Sequence, residues 1–128
     1  MHKRDVSFEM TKTRKRIEEI SNNSDVSEKS LESYLVKRVK ALGGIALKYS
    51  NPTETGYPDR IVLFPYGITF WVELKSKGKH PRPIQNVKMD KLRSLGHKVY
   101  VADSKESIDE ILAHHQNEVL FYELKNKL

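Results

Sequence analysis

The feature that most constrains the fold is a pair of apolar segments on either side of a short turn. Residues 59–64 and 68–75 are rich in β-branched and aromatic residues, and Pro65, Tyr66 and Gly67 between them form a turn signal. Apolar residues occupy both faces of each segment, which is typical of strands covered on both sides. The sequence therefore predicts a buried β-hairpin.

The segments around this hairpin predict a sheet with helices on its faces. A helix is expected from Asp25 to Leu42, because apolar residues recur on one face and a glycine pair follows. The other predicted elements are strands at 45–49 and 97–102, a helix that Gly96 stops, a helix capped by Ser104 and an edge strand at 119–124. A strand-helix-strand crossover after a meander gives the α/β class, with a mixed central sheet flanked by helices (α-β-β-β-α-β-α).

The 128 residues fit one domain, preceded by a charged segment. Residues 1–24 are interpreted as a tail or a loosely attached helix, and residues 25–128 as the domain. No apolar run is long enough to span a membrane, and the charged N-terminus has no apolar signal region. We therefore expect an intracellular protein, cytoplasmic and of phage or bacterial type, with no membrane partner. The lack of cysteine excludes disulfides and thiolate metal sites.

The formal charge of +6 favours a polyanionic partner. Nucleic acid is the commonest polyanion in a cell, so the charge raises the expectation of DNA or RNA binding. A solvated basic surface would give the same composition, and charge alone does not choose between the two.

Charged residues stand in the hairpin where the pattern calls for core. A symmetric turn centred on Tyr66 places Asp59 directly opposite Glu73, with Lys75 two residues further on the same face. Two carboxylates about 5 Å apart repel by roughly 3 kcal/mol at an effective dielectric near 20. A salt-bridged trio with Lys75 is one resolution. A bound Mg²⁺ or Mn²⁺ ion is the other, because carboxylate, carbonyl and water oxygens form the shell that these ions prefer.

A further carboxylate is expected from the first helix. Glu32 lies at the margin of the apolar face, from which it can reach inward to the same cluster. Glu28, one turn earlier, is the alternative, although a capping role already explains it. An ordinary surface glutamate remains the plainer interpretation of either residue.

Together these residues resemble the VRR-NUC (virus-type replication-repair nuclease) family of the PD-(D/E)XK nuclease superfamily. That pattern has a helical Glu, a Gly-x-Pro-Asp, a Glu-x-Lys and a Gln that opens the next helix. The matching residues are Glu32, Gly56 with Pro58 and Asp59, Glu73 with Lys75, and Gln85. The match runs from about Ser27 to Leu112 and implies a restriction-endonuclease-like core.

The resemblance also implies metal-dependent phosphodiester hydrolysis. Asp59, Glu73 and the main-chain carbonyl of Leu74 would bind Mg²⁺ or Mn²⁺, with Glu32 contacting the ion or its waters. Lys75 would align the attacking water and stabilise charge developing on the phosphate, and Gln85 would support the site, by orienting Lys75 or the water. Small free-standing members of the family act as homodimers on branched DNA such as four-way (Holliday) junctions, so a role in DNA repair is implied as well.

The loop after the hairpin is the expected DNA contact. Lys77, Lys79, His80 and Arg82 directly follow the acidic cluster and could hold the flanking phosphates. A flexible solvated loop is the alternative. The adjacent His114 and His115 lack the i,i+4 spacing of a helical metal site and are not expected to bind one.

Two other functions compete with a branched-DNA endonuclease. A restriction-type enzyme with sequence preference would use the same core, but it usually carries recognition segments for which this chain has little room. A non-catalytic basic DNA-binding module would need no carboxylates beside the phosphate. Metal-dependent cleavage would exclude the latter.

Overall fold

The computed structural model describes residues 28–128, and the predicted tail at 1–24 and the predicted start of the first helix at Asp25 lie outside this range. Helix α1 includes residues 28–41. The elements that follow are β1 (Ile45–Lys48), β2 (Arg60–Leu63), a 3₁₀ turn (Pro65–Gly67), β3 (Thr69–Leu74), α2 (Pro83–Ser94), β4 (Val99–Ala102) and α3 (Lys105–Lys127). The predicted order of helices and strands is confirmed up to α3.

The four strands form one mixed sheet in the order β1-β2-β3-β4. β1 to β3 are an antiparallel meander, and β4 returns parallel to β3 after the α2 crossover. Ile61 pairs with Trp71 and Val62 with Phe70, which confirms the predicted hairpin register. Tyr66 adopts a left-handed backbone conformation with φ of 65°, which lets the short turn close.

Helices α1 and α3 cover one face of the sheet. Leu35 and Val39 of α1 are buried against Val62 and Phe70, and Leu112 of α3 completes this main core. Gly44 joins α1 to β1 where the chain passes so close to β2 that a Cβ would lie 2.6 Å from the Leu63 carbonyl oxygen. Only glycine fits there, which explains the pair that ends the predicted helix.

Helix α2 covers the opposite face with a smaller core. Met89 and Leu92 of α2 pack with Val99 of β4, and Tyr57 and Trp71 lie against them. Because strand side chains alternate between faces, Trp71 and Glu73 point towards α2 while Phe70 and Val72 point towards α1 and α3. The predicted covering of the hairpin on both sides is confirmed.

The predicted edge strand at 119–124 is wrong. Residues Lys105–Lys127 form a single 23-residue helix, and Val119 in it packs into the main core. Ser104 caps the helix as expected, by accepting a hydrogen bond from the backbone N–H of Ser107. No Gly or Pro interrupts residues 105–127, so the helix continues through an aromatic segment whose composition alone favoured a strand.

Candidate active site

The open end of the hairpin brings Asp59 and Glu73 together. Asp59 stands one residue before β2, not within it as predicted, but its carbonyl oxygen accepts a 2.7 Å hydrogen bond from the backbone N–H of Tyr49. The pairing of Arg60 with Val72 continues outward to this position and sets Asp59 opposite Glu73. Asp59 is exposed, whereas Glu73 is 2% exposed.

Glu73 is a buried carboxylate with one oxygen in use and one without a partner. Its Oε1 accepts a 3.1 Å hydrogen bond from Nε2 of Gln85, and the Lys75 ammonium lies 3.6 Å from the same oxygen. Its Oε2 is buried and accepts no hydrogen bond of ordinary geometry within residues 28–128. A buried acceptor without a partner costs about 1–3 kcal/mol, so this oxygen is a candidate to bind a ligand that residues 28–128 do not supply.

The surroundings of Glu73 disfavour its charge. Burial raises the pKa of this carboxyl above the usual glutamate range, and the neighbouring Asp59 carboxylate raises it further. The Lys75 ammonium and the backbone N–H of Asp59 offset these effects only in part. The salt bridge with Lys75 thus leaves the pKa of Glu73 above its usual range.

Gln85 fixes Glu73 from the first turn of α2. While its Nε2 donates to Glu73, its Oε1 accepts a 2.8 Å hydrogen bond from the backbone N–H of Arg82. The side chain is 7% exposed and both ends are engaged. The sequence predicted support from Gln85 towards Lys75 or the water, and the structure places its contact on Glu73 instead.

Lys75 follows the end of β3, where its backbone is held. Its N–H donates to the carbonyl of Ala102, which terminates the parallel ladder with β4. Leu74 directs its side chain into the main core, so Glu73 and Lys75 share the opposite face. This alternation gives the Glu-x-Lys spacing its physical meaning, because the two charges must lie on one side of one strand.

The donors at this end of the sheet fit a hard divalent cation. Asp59 and Glu73 offer carboxylate oxygens, and the vacant Oε2 of Glu73 is an acceptor already stripped of water. A cation placed there would relieve the repulsion that raises the pKa of Glu73. Oxygen-only donors favour Mg²⁺ or Mn²⁺ over softer metals.

Glu32 contacts Arg60 in the structure. Its Oε1 forms a very short hydrogen-bonded ion pair with Nη2 of Arg60, the first residue of β2. Strand alternation places Arg60 on the α1 face and Glu73 on the α2 face. Glu28 is exposed. Nothing in the sequence pattern indicated that Arg60 would pair with the helical carboxylate.

The basic loop runs from the end of β3 to the start of α2. Ser76 within it is buried and accepts a 3.0 Å hydrogen bond from the backbone N–H of Lys79. The four residues predicted to contact DNA are all exposed, namely Lys77, Lys79, His80 and Arg82. Through Arg82 and Gln85 the loop connects directly to Glu73.

A second group of potential ligands lies on α3. Within residues 28–128, the donor atoms of His114, His115 and Glu118 form a group that lies within 4.8 Å. Nδ1 of His115 lies 2.5 Å from Glu118 and its Nε2 lies 2.8 Å from the Tyr100 hydroxyl, so both ring nitrogens already have partners. Glu118 is a third donor that was not predicted, although its i,i+4 spacing from His114 in the sequence indicates that the two lie on one helix face.

Among residues 28–128, no helix is long and apolar enough to cross a membrane.

Comparison with known proteins identifies relatives among nucleases. The chain is 42% identical over 81 residues to a protein named "Putative nuclease p44" from Acyrthosiphon pisum secondary endosymbiont phage 1, a match that covers 63% of this chain and 87% of the relative. A solved structure described as a VRR_NUC domain superposes with a TM-score of 0.66 and 31% identity, over 69% of this chain and 96% of that domain. A scan against models of protein families finds no match.

The fold and both relatives indicate the same family. The mixed four-stranded sheet with helices on both faces is the fold of that domain, and the phage nuclease is matched over nearly its whole length. On this evidence the chain belongs to the VRR-NUC family of nucleases, within the PD-(D/E)XK superfamily.

Proposed function

We propose that this protein is a metal-dependent endonuclease that hydrolyses phosphodiester bonds in DNA. The observation that carries the proposal is the buried Glu73 carboxylate, whose Oε2 has no hydrogen-bond partner in the described part of the chain although Asp59 and Lys75 stand beside it. Membership of a nuclease family indicates the type of reaction, and the geometry of the site indicates which residues would carry it out.

Asp59 and Glu73 would hold the metal, with the main-chain carbonyl of Leu74 as a third oxygen donor. When bound, a divalent ion supplies positive charge that neutralises the phosphate and makes water more acidic. Glu73 serves this purpose because Gln85 fixes its orientation and because burial leaves its free oxygen unsolvated. Glu32 would join the site after leaving Arg60.

Lys75 is the side chain that would act directly on the attacking water and on the phosphate. Its ammonium lies 3.6 Å from Glu73 and its side chain is 14% exposed, so it reaches solvent beside the carboxylates. From there it orients the attacking water by hydrogen bonding. It also stabilises the negative charge that develops on the phosphate oxygens as the bond breaks.

The chain's charge and the loop next to the site favour DNA as substrate. Lys77, Lys79, His80 and Arg82 are exposed on the segment that links Lys75 to Gln85, within reach of phosphates beside the scissile one. Contacts of this kind provide affinity without reading the base sequence and weaken with salt.

Branched DNA as the preferred substrate, a homodimer as the active form and a role in DNA repair are further parts of the proposal. They rest on the resemblance to small free-standing members of the family. A dimer with a two-fold axis places two sites on the near-symmetric arms of a four-way junction.

The test offers linear, flapped and four-way-junction DNA to the wild type with Mn²⁺, with Mg²⁺ and with a chelator. We expect branched DNA to be cleaved with either metal and to remain intact with the chelator. Asp59→Ala should lose at least about 10²-fold in rate, because a ligand of the catalytic metal is removed.

Asp109→Ala is the matched control, since it removes a carboxylate that binds Arg38 and Tyr34 on the α1 and α3 side, away from the cluster. This control should cleave DNA at the wild-type rate. Equal cleavage by Asp59→Ala, or cleavage that persists in chelator, would refute the proposal.

A further inference from the structure

A groove along α1 lies on the other side of the sheet end from the acidic cluster. It has a volume of about 370 Å³. The residues that line it are Lys29, Glu32, Ser33, Val36, Lys37 and Arg60. Three cationic side chains face one carboxylate there, so the groove is positively charged, and the Ser33 hydroxyl adds a neutral hydrogen-bond donor.

Arg60 is the fixed cation of this groove. Its guanidinium donates to Glu32 through Nη2 and to the Ala46 carbonyl oxygen through Nη1 at 3.4 Å. Its Nε is buried and has no hydrogen-bond partner among the residues that the structure describes. Arg60 is thus held in place by β1 and α1 with part of its donor capacity unused, whereas Lys29 and Lys37 are exposed.

The groove and the acidic cluster are adjacent along β2. Arg60 follows Asp59 directly, so their Cα atoms are about 3.8 Å apart and their side chains point to opposite faces. Lys48 pairs with Arg60 across β1 and lines the neighbouring pocket beside Asp59, which continues the basic surface between the two. A DNA strand that passes over this end of the sheet with one phosphate at Asp59 would bring a neighbouring phosphate to the Arg60 side of β2.

We propose that this α1 groove binds a backbone phosphate of the DNA strand next to the phosphate that is cleaved, with Arg60 as the anchor and Lys29 and Lys37 as flanking cations. The proposal rests on the proposed function for the identity of the strand as DNA. The groove would fix the strand from the side opposite to the basic loop.

The bound phosphate would compete with Glu32 for Arg60. A phosphodiester presents two oxygens to a guanidinium in the same forked geometry as a carboxylate. An incoming phosphate therefore displaces Glu32, and the freed carboxylate stands at the end of the sheet where the metal ligands are. This exchange links strand binding to completion of the site.

The experiment measures DNA binding without cleavage, by fluorescence anisotropy with a short duplex in chelator over a series of salt concentrations. Lys29→Ala with Lys37→Ala should reduce the slope of log K against log salt by about 1–2, because each lost phosphate contact contributes about 0.9. Lys40→Ala with Lys125→Ala removes two exposed lysines outside the groove and should leave the slope unchanged. Equal slopes for the two double variants would overturn the proposal that the groove binds a phosphate.

A second pair of variants tests the exchange. Glu32→Gln should tighten DNA binding in chelator several-fold more than Glu110→Gln, an exposed glutamate on α3, because only Glu32 competes for Arg60. Equal effects would refute the competition.

These binding results stand apart from the cleavage assay. A wild type that binds DNA through the groove but never cleaves it refutes the proposed function alone, while cleavage with normal binding by the groove variants refutes the groove alone.

Discussion

Glu73 is the residue where folding and function oppose each other. Its burial and its proximity to Asp59 raise its pKa, so the fold disfavours the charged form of this carboxyl. Residues of this kind concentrate at functional sites, where they are retained although another residue would be more stable.

The raised pKa of Glu73 should make the stability of the fold depend on pH. Because the pKa of Glu73 is higher in the folded than in the unfolded state, its contribution to stability is present at acidic pH and is lost as pH rises through the raised pKa. We expect Glu73→Gln to melt a few degrees above the wild type at neutral pH in chelator, and the difference to shrink towards about pH 4.

Thermal melts across this pH range measure the effect, with the exposed Glu110→Gln as control. A Glu73→Gln variant that is less stable than the wild type at neutral pH without metal would contradict this expectation. The same variant should have no metal-dependent cleavage.

Gln85 is expected to act as a positioning residue for Glu73. Its hydrogen bond orients Glu73, so Gln85→Leu should weaken Mn²⁺ affinity about 10–100-fold, the usual effect of losing a partner of a metal ligand. Cleavage by this variant should recover at high Mn²⁺ concentration, whereas Asn86→Leu, an exposed neighbour on α2, should need no extra metal. Loss of activity that excess metal does not restore would mean that the role of Gln85 is only structural.

At the scale of single residues, the sequence predicted the types and positions of the charged side chains but not all of their partners. The pairing of Asp59 with Glu73 follows from hairpin register, a local property that apolar alternation and turn length determine. The contact of Glu32 with Arg60 joins residues 28 positions apart. It depends on how α1 packs over β2, which periodicity within α1 does not encode.

At the scale of elements, α3 carries the largest difference between sequence and structure. Its first half follows from Ser104 and the spacing of Ile108 and Leu112, whereas the sequence predicts an edge strand at residues 119–124. Composition favours strand there, but the helix continues because Val119 extends its buried face into the core. Tertiary packing thus overrides a weak local preference.

His115 joins α3 to the sheet. Its ring is buried, stacks on Phe70 at 4.1 Å between ring centroids, and contacts Tyr100 and Glu118. Burial lowers the pKa of this imidazole, although Glu118 opposes the shift. The stability from neutral His115 is therefore present above about pH 6.5 and is lost as pH falls through the lowered pKa.

We expect His115→Gln to lose about 1–3 kcal/mol of stability at pH 8, since two partly buried hydrogen bonds and a ring contact are removed. The deficit should narrow as pH falls, and the exposed His114→Gln should change little at any pH. Chemical denaturation at several pH values measures both. A constant deficit would show that protonation of His115 does not affect the fold.

At the scale of the whole molecule, the end of the sheet is the proposed functional centre. β2 begins and β3 ends there, α2 supplies Gln85 on one face, and α1 supplies Glu32 on the other. The basic loop and the α1 groove stand on the two sides of this end, so in the proposed complex a DNA strand that crosses it would meet cations before and after the carboxylates. The class and element order of this architecture were predictable from periodicity, whereas the division of charges between its faces required the packed structure.

The most direct test of the account is a calorimetric titration with Mn²⁺ of the wild type, Asp59→Ala and Lys75→Ala, alongside cleavage of junction DNA by each. The account predicts that the wild type binds the metal and cleaves DNA, that Asp59→Ala does neither, and that Lys75→Ala binds the metal but does not cleave. Metal binding by Asp59→Ala with wild-type affinity would contradict it, since the ion would then be held elsewhere, with the His114, His115 and Glu118 group the first place to look.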